Sequence, residues 1–120
     1  MTTLLTYNMG VQAFEERDYK TAVERFSSVL EADPGNTNVR EYLARAHFHR
    51  AALGPAEAEC RTILEADPTN EYATLLLARS LERQNRRDEA SSVRRMLAAL
   101  TGDDSHLPSD ALLLYPGAQA

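Results

Sequence analysis

A chain of 120 residues, 43% hydrophobic and 26% charged, has the composition of a soluble globular protein and the length of one domain, with no room for a second core. Its net charge of −5 argues against nucleic-acid binding, which needs a dense cationic surface, and no apolar run approaches the roughly 20 residues of a membrane span. The single cysteine, Cys60, excludes an internal disulfide and, without neighbouring ligands, a zinc site. The first ten residues contain no Lys or Arg ahead of their few apolar residues, so the charged start of a secretory signal is missing and a cytoplasmic location is expected. The 18 alanines, 12 arginines and single Lys20 have the look of a GC-rich bacterial coding bias.

In chain order, Leu5, Met9 and Ala13 follow helical spacing, then polar residues 15–20 intervene, and Ala22, Val23, Phe26, Val29 and Leu30 resume it. This is a helical hairpin, with Gly10 expected to face Ala22 and let the helices approach closely. Asp33-Pro34 should end the second helix, because the residue before proline avoids the helical region. Asn36 and Asn70 are expected helix caps, and Gly54 and Asn85 suit the turns inside the later hairpins. Helices are expected near 3–16, 19–32, 37–51, 55–66, 71–84 and 87–100. The segment VLEADPGN at 29–36 returns as ILEADPTN at 63–70, placing Pro34 and Pro68 34 residues apart. The same register carries Leu43-Ala44-Arg45 onto Leu77-Ala78-Arg79, and Ala22 onto Ala56 and Ala90.

This period, with Gly10, Ala44 and Ala78 in the first helices, Ala22, Ala56 and Ala90 in the second, Phe26 after them and Pro34 and Pro68 at the ends, resembles the tetratricopeptide repeat (TPR). Thr6, Arg40 and Thr74 replace the family's tryptophan, Cys60 and Arg94 depart from its second aromatic, and Gly102 replaces the third proline. The resemblance implies an all-α, right-handed solenoid of three helix-turn-helix repeats, about 3–36, 37–70 and 71–102, forming one domain over 1–102. A tail over 103–120 follows, with a short helix expected at 109–115.

No catalytic constellation is present. His47 and His49 are two apart on a helix and so point to different faces, and no phosphate loop, GxSxG or HExxH occurs. No enzyme activity, cofactor or metal is expected. His47 is expected to pack between helices, and Cys60 to be a small buried filler. Glu15, Glu16 and Asp18 form a solvated cluster, and Arg83, Arg86, Arg87, Arg94 and Arg95 are interleaved with Glu82, Asp88 and Glu89 as an ion-paired face.

The resemblance further implies a protein-protein interaction scaffold that holds a partner peptide or helix on its concave side. The concave positions fall on Tyr7, Val11, Phe14, Tyr42, Arg45, His49, Tyr72, Leu76, Arg79 and Arg83. Family members that grip acidic chaperone tails use Lys and Asn, Asn, then Lys and Arg; those slots here hold Tyr7 and Val11, Tyr42, then Tyr72 and Leu76, so that clamp is absent. The Tyr and Arg mixture instead suits an acidic, partly apolar segment, with Arg45 and Arg79 expected about 10 Å apart. A self-associating subunit is the alternative. It would use Val93, Met96, Leu97 and Leu100 of the third repeat and Leu112, Leu113 and Tyr115 of the acidic tail, with homo-oligomerisation as its consequence.

Overall fold

The computed structural model describes residues 2–108, so the expected helix at 109–115 and the contacts of Leu112, Leu113 and Tyr115 lie outside the described residues. Six α-helices run in sequence: α1 Thr3–Glu15, α2 Tyr19–Ala32, α3 Thr37–His49, α4 Leu53–Ala66, α5 Glu71–Arg83 and α6 Arg87–Thr101. A 3-10 turn at Asp104–His106, not foreseen from the sequence, packs on α6. Each helix packs on the next, and α5 also touches α3, which makes three stacked hairpins of a right-handed solenoid. No strand occurs among the described residues.

The 34-residue period is written into the backbone hydrogen bonds. Thr2, Asn36 and Asn70 cap α1, α3 and α5, each side chain accepting from the N–H three residues on at 3.2, 3.1 and 2.9 Å. Asp33 and Asp67 close α2 and α4 ahead of the two prolines, and their carbonyls accept from Asn36 and Asn70 at 3.2 Å. Where the third proline is missing, Gly102 ends α6 in the left-handed region at φ 71°, its N–H donating to Ala98 at 2.8 Å.

The turns inside the hairpins also keep the period, at Asn85, a residue type expected there, and at Arg17 and Ala51, whose types do not announce it. Arg17, Ala51 and Asn85 have φ of 63°, 59° and 60°. The N–H after each reaches back to close the turn: Asp18 to Ala13, Ala52 to His47 and Arg86 to Leu81, at 2.8–3.0 Å. The expected role of Gly54 is therefore corrected. It lies in the first turn of α4, which starts two residues earlier than expected, because the first N–H groups of a helix need no intrahelical partner and Pro55 is tolerated there. A left-handed non-glycine residue costs about 1–2 kcal/mol, more than the extra unfolded-state entropy of glycine. Ala51→Gly should therefore stabilise the chain by about 1 kcal/mol, read as a Tm about 4 °C higher. A lower Tm would show that no strain is held at Ala51.

Two apolar clusters form the interior. The first joins Ala13, Ala22, Phe26, Val29, Leu30, Val39, Leu43 and Ala46, and the second joins Ala44, Cys60, Leu76, Leu77, Leu81 and Ala90. Gly10 lies against the Phe26 ring, one turn beyond Ala22 on α2, and a Cβ there would stand 2.8 Å from the ring edge. Cys60 occupies the register position of Phe26 and is fully buried, which pushes its thiol up to about 12 and leaves it protonated.

Candidate functional site

The first helices of the hairpins, α1, α3 and α5, lie side by side, and their facing side chains touch across the repeats. Tyr7 on α1 meets Tyr42 on α3 edge-on at 6.3 Å, and its hydroxyl accepts from Asn38. Phe14 packs edge-on against Tyr42 at 5.5 Å and His49 at 5.9 Å, while Tyr42 stacks on Phe26 at 5.0 Å. Val11 packs against the same cluster.

Arg45 projects over this floor. Its guanidinium carbon stands 4.8 Å from the Phe14 ring centre and 5.6 Å from those of Tyr42 and Tyr72, so one cation is shared by rings from all three hairpins. Arg83 lies 5.0 Å over Phe48. Tyr72 is 41% exposed, and partial burial raises its phenol, an effect opposed by the nearby charges of Arg45 and Arg79. Desolvation lowers the His49 imidazole, and Arg45, Arg17 and Arg83 lower it further, which keeps it neutral near pH 7. Among the described residues, no carboxylate lies within ion-pair distance of Arg45, Arg79 or Arg83. A cleft of about 160 Å³ opens between Asn38, Glu41, Tyr42, Arg45 and Tyr72.

Leu76 does not belong to this surface. It is 5% exposed, in the cluster with Cys60, because Cys60 is smaller than the equivalent Phe26 and leaves room that Leu76 fills. Sequence reasoning passed over Tyr19, which stacks on His49 at 4.7 Å and meets Phe14 edge-on at 5.3 Å. The register of the first helices does not reach Tyr19, because it opens α2. Arg17, Asn38 and Glu41 were missed too; the positions of Asn38 and Glu41, one turn from Tyr42 and Arg45 on α3, were available as a signal.

Elsewhere the charged groups hold the fold. Glu57 on α4 accepts from Arg61, Gln84 and Arg86, and although burial favours its neutral form, these bonds outweigh burial and hold the carboxyl below its ordinary value. Arg94 forks onto Glu82 with two bonds of 2.9 Å. Asp18 accepts from the Thr21 N–H as the cap of α2, and hydrogen bonding to Thr21, from its side chain first and its backbone second, lowers the carboxyl. His47 is half-buried with its Nδ1 lacking a protein partner, and burial lowers its imidazole. Of the four third-repeat residues named for self-association, Leu97 is 1% exposed and belongs to the interior, Val93 and Leu100 are half-buried, and Met96 is 51% exposed. Among the described residues, no group of three potential metal-ligating side chains occurs, and no helix is long and apolar enough to cross a membrane.

Stacked antiparallel helix pairs with an aromatic and cationic inner face define an α-solenoid of the helical-hairpin repeat class. Residues 13–76 match the family described as Tetratricopeptide repeat, and the chain belongs to that family. Solved structures agree on the fold. The TPR domain of Arabidopsis OM64 superposes with a TM-score of 0.78 at 19% identity, over 87% of this chain and 86% of that one. The first TPR domain of Spaghetti (RPAP3), bound to an HSP90 peptide, gives 0.78 at 18% identity over 87% and 82%. A mutant of MamA gives 0.78 at 23% identity, covering 95% of this chain and 61% of the other. No curated protein matches the chain.

Proposed function

We infer that this protein is a non-catalytic interaction module that holds an acidic, partly apolar segment of a partner protein on the concave face of α1, α3 and α5, in the cytoplasm. The observation that carries the reading is Arg45, poised over the rings of Phe14, Tyr42 and Tyr72 with no carboxylate within ion-pair distance among the described residues. Rings beneath a guanidinium hold it in place with little rotamer entropy left to lose, so its hydrogen-bond donors are ready for a carboxylate. Arg79 and Arg83 extend the cationic track along α5, and the half-exposed Tyr72 supplies apolar contact beside it. Two of the structural neighbours, Spaghetti and yeast Sti1, are seen with chaperone peptides, which supports a peptide-binding use of the fold. The residues differ from the family's carboxylate clamp, as Tyr7, Val11, Tyr42 and Tyr72 show, so chaperone tails are not the expected ligand.

The test is a peptide array probed with the full chain. Acidic sequences containing Leu or aromatic residues should be enriched, and their binding should weaken as salt rises. Arg45→Ala with Arg79→Ala should lower affinity for those peptides about tenfold or more, each lost charged contact being worth roughly 1.5–3 kcal/mol before solvent screening, with little change in Tm. Unaltered binding by the double variant would move the interface away from this face.

A further inference from the structure

Guanidiniums and carboxylates stay charged and phenols stay neutral around pH 7, so of the side chains that α1, α3 and α5 bring to the concave face, His49 alone changes charge near neutrality. It is the last residue of α3, where the negative end of the helix by itself favours an imidazolium. Its surroundings work the other way. One face of the ring is covered by Tyr19 at the start of α2, stacked at 4.7 Å, while Phe14 of α1 and Phe48 of α3 meet it edge-on at 5.9 and 6.2 Å. Those two phenylalanines carry guanidiniums, Arg45 at 4.8 Å from the Phe14 ring centre and Arg83 at 5.0 Å from that of Phe48. Arg17, in the turn between α1 and α2, adds a third. The charges facing His49 thus come from its own helix, from the first hairpin and from the third, and α1 and α2 themselves turn only the Phe14 ring and the Tyr19 phenol to it. The carboxylates on either side of Arg17 are turned to other partners, Glu16 to Gln12 and Asp18 to the start of α2. Loss of hydration, and then repulsion by Arg45, Arg17 and Arg83, hold the imidazole below its ordinary value.

On the reading that this groove holds an acidic, partly apolar segment, we propose that His49 makes the grip pH-responsive, taking up a proton as the segment settles among Arg17, Arg45 and Arg83. Carboxylates arriving beside the guanidiniums cancel the repulsion and offer the imidazole N–H an acceptor, so the complex keeps this proton to a higher pH than the free chain does. Between those two midpoints the complex binds more protons than its separated parts. Affinity therefore rises as pH falls through that window, and above it His49 adds no pH dependence. The segment's own carboxylates lose charge lower still, near a pH of about 4, and that loss weakens binding. The two effects have opposite signs, so tighter binding in mild acid belongs to the imidazole.

The test uses the full chain and a synthetic peptide of repeated Glu-Glu-Leu units, with affinity measured by calorimetry at about pH 7.5 and about pH 5.5 at constant ionic strength, and the imidazoles followed by NMR through the same range. Binding about threefold tighter at the lower pH is expected, the gain that a rise of about half a pH unit in the imidazole midpoint allows. The His49 midpoint should lie below that of an ordinary imidazole in the free chain and move up when the peptide is added. His49→Gln should flatten the pH dependence, whereas His106→Gln, in the 3-10 turn near Tyr72, should keep it. Equal affinity at both pH values, a pH dependence that survives His49→Gln, or a His49 midpoint unmoved by the peptide would overturn the proposal and leave the groove reading standing. No binding of the peptide at either pH, or binding that Arg45→Ala with Arg79→Ala leaves unaltered, would overturn that reading and the proposal with it.

Discussion

Phe26→Ala is expected to lower the stability of the chain by about 3–5 kcal/mol, a large share of what a domain of this size possesses. The Phe26 ring is fully buried, stacks on Tyr42 at 5.0 Å, meets Tyr7 at 6.1 Å and fills the space above Gly10. Its removal empties the contact between α1 and α2 and takes away the support of Tyr42, on which Arg45 rests in turn. The surrounding groups cannot collapse inward cheaply, because Ala13, Ala22 and Gly10 are too small to fill the void and belong to rigid helices. Urea unfolding should show the loss as a lower midpoint at unchanged slope. A loss below about 1 kcal/mol would mean that Tyr7 or Tyr42 swings into the vacated space.

The second large effect is overpacking. Ala56→Leu should destabilise the chain by about 1–3 kcal/mol, since Ala56 is fully buried on α4 and has no space for three more carbons. Ala44 and Ala78, at the register position of Gly10, are fully buried too, so close approach of paired helices through small residues recurs in every hairpin. Ala58→Leu, two residues away on the exposed side of α4, is the control and should change stability by less than about 0.5 kcal/mol. Equal melting of the two variants would contradict the assignment of Ala56 to the helix contact.

Much of the site was legible because helical spacing and a 34-residue period together assign each residue to a face. Tyr7, Phe14, Tyr42, Arg45, His49 and Tyr72 are brought together as the register requires, each on a first helix and each within reach of a neighbour one repeat away. Leu76 broke the rule because its depth depends on the size of Cys60 beneath it, a residue on another helix. Tyr19 was missed for the same kind of reason: its stack on His49 crosses from the second helix of one hairpin to the first helix of the next.

The sequence by itself determined the helical class, the repeat, the caps at Asn36 and Asn70 and the stops at Asp33 and Asp67, all of which follow from local chemistry repeated at a fixed interval. Tertiary structure alone decided the left-handed turns at Arg17 and Ala51, the burial of Leu76 and Leu97, and the placing of Arg45 over three rings. These depend on which side chains, distant in the chain, compete for one volume or one partner. A short backbone loop adopts a costly conformation when the packing of two helices over-determines it, and a flexible arginine settles where desolvation, ring contact and available carboxylates balance, neither of which residue spacing encodes.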